Sequence, residues 1–136
     1  MVTKLKDFPK IFFPLKKTEQ SALSIFEEGV VPFSIKRVFT IKTQDHCKRG
    51  FHAHKECAQL LVCLTGRCTV ICDDGESRQS IVLDTPKEGL LIPPSIWAEQ
   101  DYEPNTILMV LTDHLYDESD YIRDYNEFLQ YRRTLK

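Results

Sequence analysis

Two of the four histidines, His52 and His54, stand two residues apart in the stretch RGFHAH. On an extended segment that spacing sends both imidazoles to one face. Such a pair has two chemical uses. It can ligate a transition metal, or it can move protons at neutral pH, because an unperturbed imidazole titrates near pH 6.5. The plain alternative is two surface histidines beside Lys48, Arg49 and Lys55. Four basic residues, Lys36, Arg37, Lys48 and Arg49, flank the pair in sequence and suit an anionic ligand held by two or three cations. The bland reading of each is a solvated strand edge, and for Lys48 that reading is preferred.

Composition narrows the classes. The 136 residues suffice for one core, and 42% hydrophobic with 28% charged residues is ordinary for a folded domain. Eighteen Lys plus Arg against 20 Asp plus Glu give a net charge of −2, which argues against a general nucleic-acid binder. No run approaches the roughly 18 apolar residues of a membrane span. Residues 1–17, broken by Pro9 and Pro14 and without a small-residue cleavage site, do not read as a signal peptide. Five cysteines, an odd number with no CxxC pair, indicate reduced thiols in the cytoplasm. Cys57, Cys63, Cys68 and Cys72 are expected in strands or core, and Cys47, beside His46 and Lys48, in a loop.

The elements that must position these groups are short strands. Residues 32–42 are β-branched and aromatic, with Phe33, Ile35, Arg37, Phe39 and Ile41 on one face. Residues 50–54 form a short extended piece, and residues 59–65 a strongly apolar strand. Gly66-Arg67 reads as a hairpin turn into residues 68–72, and Asp73-Asp74-Gly75 as the next turn. Residues 79–84, 89–92 and 106–112 supply further strands, with Pro93-Pro94 and Pro104-Asn105 as breakers. One helix is predicted, over about residues 118–131, with Asp117 as N-cap. Its apolar face is Tyr121, Ile122, Tyr125, Phe128 and Leu129, and Arg132, Arg133 and Lys136 follow its end. Many short strands spaced by turns predict an all-β sandwich or barrel. The strand 59–65 is apolar on both faces, Leu61 and Cys63 on one, Leu60, Val62 and Leu64 on the other. The second face needs cover, from a second copy that exchanges the N-terminal segment or from a packed helix.

Gly50-x-His52-x-His54, then Gln59 and Gly66, resembles the first motif of the cupins, small jelly-roll-like β-barrels whose histidines and a Glu bind metal. Gly89 to Pro93 with Ser95 and Ala98 resembles the second motif. Gln59 stands where a metal cupin has Glu, and Ala98 where it has its last His. The surviving pair has no carboxylate to hold a divalent cation firmly, so the reading is metal-free. Residues 55–58 are expected to form the turn that brings Gln59 beside the His-x-His strand.

Longer segments resemble one branch, the nucleotide-sugar 3,4-ketoisomerases. They are PFSIKRVFTI, RGFHAHKECAQLLVCLTG, DDG, LDTPKEGLLIPPSIWAE and YDESDYIRDYNEFL, together spanning about residues 32–129. The resemblance implies one all-β cupin domain over residues 1–136 with a short C-terminal helix; the cysteines add a cytoplasmic setting, and the two-faced strand a homodimer with segment 1–30 exchanged or packed in it. It implies no cofactor and no metal, beside the charge balance and short apolar runs that already point to no nucleic acid and no membrane. The implied substrate is dTDP-4-keto-6-deoxyglucose, on the way to deoxyamino sugars of surface glycans such as lipopolysaccharide O-antigen.

The implied chemistry is removal of the C3 proton, an enediol intermediate and reprotonation at C4. His52 matches the catalytic histidine, with His54 its partner or a stabiliser of the developing oxyanion. Arg37 and Arg49 match diphosphate positions, with Lys36 nearby. Gln59 would bond the sugar, and Trp97, in PP-x-x-W, would lie at the barrel mouth or in packing. Phe39 stands where the family commonly has a catalytic Tyr, and Ala98 where it usually has His. Tyr102 is the replacement phenol by nearness in sequence. Two other readings stand beside this one: a non-catalytic sugar-nucleotide-binding cupin, favoured by Phe39 and Ala98, and a metal-dependent cupin such as a dioxygenase.

Overall fold

The computed structural model describes Lys4 and residues 10–135. Residues 1–3, 5–9 and 136 lie outside the described residues, and with them part of the segment 1–30 and the Lys136 expected beyond the helix. In chain order the strands are β1 (Lys10–Phe12), β2 (Leu15–Lys17), β3 (Ala22–Ser24), β4 (Arg37–Lys42), β5 (Cys47–His54) and β6 (Gln59–Thr65). They continue as β7 (Cys68–Asp73), β8 (Arg78–Leu83), β9 (Glu88–Ile92), β10 (Trp97–Tyr102), β11 (Ile107–Thr112) and β12 (Tyr121–Ile122), and helix α1 (Tyr125–Thr134) ends the chain.

Ten strands form two antiparallel sheets, β1-β9-β6-β11-β4 and β12-β5-β10-β7-β8, and β2 and β3 make a separate hairpin. The class is all-β, as expected. Among the described residues the two sheets face each other as a jelly-roll-like sandwich and are not hydrogen-bonded into one closed barrel. From β4 onward only β7 to β8 is a hairpin within one sheet, turning at Asp73, Asp74 and Gly75. Gly66-Arg67 is therefore no hairpin turn but a corner between sheets. Gly66 sits there at φ +83°, and a Cβ on it would run into Thr106. Residues 55–58 are likewise a corner, so Gln59 faces the His-x-His strand across the sandwich and is not paired beside it.

The two-faced apolarity of β6 is explained by layers. Leu61 and Cys63 join Val70, Cys72, Leu108 and Val110 between the sheets. Leu60 and Val62 face outward and are covered by Phe13, Val31, Phe26 and Ile35 of the same chain. Phe33 and Ile35 belong to that outer layer, while Phe39 and Ile41 pack inside. The period-two face predicted from 33 to 41 breaks because regular strand begins only at Arg37.

Two further expectations are corrected. β10 was not anticipated: its inward row is Ala98, Gln100 and Tyr102, and an amide in that row spoils the apolar alternation. The helix 118–131 is instead a 3-10 turn at Glu118–Asp120, strand β12 and then α1. Asp117 caps the 3-10 turn, and Asp124 is the N-cap of α1, accepting from the Glu127 N–H. Tyr121 and Ile122 extend because they pair with His54 and Ala53 at the edge of β5. Arg132 and Arg133 lie inside the last turn of α1, and Arg132 is buried, donating to the Ser95 carbonyl at 3.0 Å. Phe128 anchors α1 on Trp97, Ala53 and Ile122, outside the second sheet.

Candidate active site

The His-x-His strand carries a bulge that aims its histidines. β5 shifts register against β10 between Ala98 and Glu99, so that Ala98 faces His52 and Glu99 faces Gly50, with Phe51 left unpaired. Gly50 takes φ +92° and Phe51 φ +57°. A Cβ on Gly50 would lie 2.8 Å from Gln100 Oε1 and 3.0 Å from the Ala98 carbonyl, so glycine is required by conformation and by space.

A cavity of about 380 Å³ opens between the sheets at this bulge. Arg37 and Phe39 reach it from β4, Arg49 and His52 from β5, Gln59 from β6 and Gln100 from β10. Tyr116, Tyr121 and Arg123 line it from the chain beyond β11. No acidic side chain is among its described lining residues. Arg37 makes no ion pair with a described residue; its guanidinium lies 4.5 Å from the Phe39 ring and 5.2 Å from that of Tyr116. Glu118 grips Arg123 through two hydrogen bonds, at 2.8 and 2.9 Å, so Arg37 and Arg49 are the lining guanidiniums with no ion pair to a described residue, and they make the mouth a receptor for an anion.

The histidines share an aromatic nest. Their ring centroids are 5.1 Å apart and edge to face, and the Tyr121 ring packs on both, 5.0 Å from His52 and 4.3 Å from His54. Burial first, then the neighbouring His54, lowers the His52 pKa to about 4. His52 is therefore a neutral imidazole at pH 7. Its Nδ1 is buried near the Gly50 backbone, which leaves Nε2 to meet a ligand.

His54 lies one layer behind. Its Nδ1 donates to Asp120 Oδ2 at 2.9 Å, fixing the tautomer, and its Nε2 is buried without a described partner. Burial also lowers the His54 pKa, against the opposing pull of Asp120. The Asp120 carboxylate also accepts from the backbone N–H of Glu56 at 2.7 Å, so the 3-10 turn clamps the corner after β5.

Several sequence-predicted residues fall elsewhere. Trp97 points outward beneath α1, with Tyr125 and Phe128 at 5.3 and 5.7 Å and its indole N–H on Glu99; it is packing. Tyr102 is fully buried in the inter-sheet core, outside the cavity lining, and burial pushes its phenol pKa up. Lys36 is exposed on an adjoining groove with Asp113 and Asp117. Cys47 lies in β5 and packs against the inner core, not in a loop.

Gln100, Tyr116, Tyr121 and Arg123 were missed. The last three stand in YDESDYIRDY, where Tyr121 and Arg123 were read as helix and Tyr116 lay just before its cap. Among the described residues, groups able to ligate a metal come together only behind the cavity: His54, Cys57 and Asp120, and Cys57, Asp113 and His114, each set within 4.8 Å. Burial and then Asp113 push the Cys57 thiol up to about 12, and His54, Asp113 and Asp120 already bond within the chain.

Comparison with known proteins agrees with this geometry. The FdtA family, described as WxcM-like, C-terminal, matches residues 1–133. The chain belongs to that family. It is 45% identical over 133 residues to a TDP-4-oxo-6-deoxy-alpha-D-glucose-3,4-oxoisomerase of Aneurinibacillus thermoaerophilus, covering 96% of this chain and 93% of the relative. A 3,4-ketoisomerase from Helicobacter canadensis superposes with a TM-score of 0.88 at 36% identity, covering 93% of this chain and 98% of that one. The QdtA 3,4-ketoisomerase of Thermoanaerobacterium thermosaccharolyticum, a mutant in complex with TDP-4-keto-6-deoxyglucose, gives 0.90 at 32% identity, covering 96% and 97%.

Proposed function

We propose that this FdtA-family chain is a sugar-nucleotide 3,4-ketoisomerase acting on dTDP-4-keto-6-deoxyglucose, in the cytoplasm and as a homodimer, for deoxyamino sugars of surface glycans. The observation that carries the reading is a neutral, half-sealed imidazole, His52, in a cavity where Arg37 and Arg49 have no ion pair to a described residue. Arg37 and Arg49 take the diphosphate and leave the ketose ring beside His52.

His52 accepts the C3 proton, made acidic by the C4 carbonyl. The C–H electron pair becomes the C3=C4 double bond, and the C4 oxygen gains charge. Proton delivery to C4 and loss of the O3 proton re-form the carbonyl at C3. In sum C3 and O3 each lose a proton and C4 and O4 each gain one, with exchange into solvent between loss and gain, so no oxidant is consumed. Phe39 supplies no hydroxyl, and Tyr121, against both histidines, is the phenol placed to serve instead.

Exposed Phe12, Leu23 and Val38 support a dimer, with the N-terminal segment that covers β6 as the element to exchange. Incubating the protein with dTDP-4-keto-6-deoxyglucose and following the sugar by carbon NMR tests the activity. A new carbonyl at C3 is expected; an unchanged substrate under conditions where TDP binds would favour the non-catalytic binding reading.

A further inference from the structure

Gln59 and Gln100 are only 6% and 7% exposed, neither side-chain amide bonds another described residue, and their amide atoms open onto the cavity instead of being sealed in the core. A buried amide left unpaired is destabilising unless water or a ligand satisfies it. Both line the cavity, one from each sheet, and Gln100 Oε1 occupies the space that any side chain at position 50 would fill. The bulge at Gly50 that aims His52 thus also makes room for the Gln100 amide beside it. Nothing but a ligand or solvent is left for these two groups to bind.

Resting on the ketoisomerase reading, we propose that Gln100, with Gln59 opposite, binds the two adjacent sugar oxygens, O3 and O4, throughout their exchange of roles. In the substrate O3 is a hydroxyl donor and O4 a carbonyl acceptor; in the product the two are reversed. A carboxylate or ammonium in that position would match only one character. A carboxamide offers a carbonyl acceptor and an N–H donor on one planar group, so a facing pair serves substrate and product alike. Its N–H donors also meet the charge that develops on oxygen in the enediolate, and a neutral amide takes no proton from the reaction.

The test uses the full chain with Gln100→Leu, which keeps the volume and removes both polar atoms, and Gln100→Glu, which keeps an acceptor and removes the donor. Binding of TDP, turnover of dTDP-4-keto-6-deoxyglucose and thermal melting are measured for each. Gln100→Leu is expected to melt at or above the wild-type temperature, because no described residue bonds the amide that it deletes. It should bind TDP within about twofold of wild type and lose tenfold or more in kcat/KM, mostly in kcat. Gln100→Glu should lose at least as much turnover. An unchanged kcat/KM in Gln100→Leu would overturn the proposal, as would a lower melting temperature or failure to fold, since either means the amide is structural. An equal loss of TDP affinity would place Gln100 at the nucleotide instead. Inactivity of the wild-type protein with this sugar would count against the underlying function, a result separate from all of these.

Discussion

At the scale of single residues, the chemistry rests on a histidine kept neutral by burial. Its folded pKa, about 4, lies below the unfolded value near 6.5, so between these pH values the unfolded chain binds the extra proton. Stability from His52 is complete above about pH 6.5 and lost as the pH falls toward 4, a contribution of up to about 3 kcal/mol. Melting temperature measured from pH 7.5 to 4 should fall less in His52→Asn than in wild type. Parallel curves would mean the imidazole is not desolvated. The two-residue spacing of His52 and His54 gave away a shared face, but not their inequality. Only the Asp120 contact, made across 66 positions of sequence, shows that His54 is held behind and His52 presented. Phe39 and Arg37 were legible as neighbours because period-two alternation holds within β4. Tyr102 was not, because nearness in sequence to the second motif says nothing about depth in the core.

At the scale of elements, the bulge in β5 is the device that joins backbone to chemistry. Gly50→Ala puts an L side chain at φ +92° and a methyl 2.8 Å from Gln100 Oε1. We expect it to cost about 1–3 kcal/mol of stability, read as a lower melting temperature, and to reduce turnover as Gln100 is displaced. Wild-type melting and turnover in that variant would mean the bulge is no constraint. Strands β6, β7, β8, β9 and β11 could be read nearly to their ends, since apolar runs and turn residues bound them. β10 and β12 could not. β10 spends an inward position on the cavity, and Tyr121 and Ile122 have the spacing of a helical face but are drawn extended by pairing with β5. Which corners cross between sheets was equally hidden, because Gly66-Arg67 suits a hairpin as well as a corner.

At the scale of the whole molecule, a net charge of −2 conceals a mouth where Arg37 and Arg49 have no described acid partner and Arg123 is paired with Glu118. TDP affinity should therefore weaken as ionic strength rises, and Arg49→Gln should cost tenfold or more in TDP binding with melting unchanged. Salt-independent binding would place the diphosphate elsewhere. The all-β class followed from the density of short strands, whereas the cover on β6 came from residues 13–35 of the same chain, a tertiary fact with no local signal.

The most direct test of enediol chemistry at His52 is proton NMR of dTDP-4-keto-6-deoxyglucose incubated with the protein in D2O. Wild type should introduce deuterium at C3 of recovered substrate or at C4 of the 3-keto product, and His52→Asn should cut that exchange by about 10²-fold or more while binding TDP normally. Exchange that persists in His52→Asn, or a 3-keto product formed by wild type without solvent deuterium at either carbon, would contradict it.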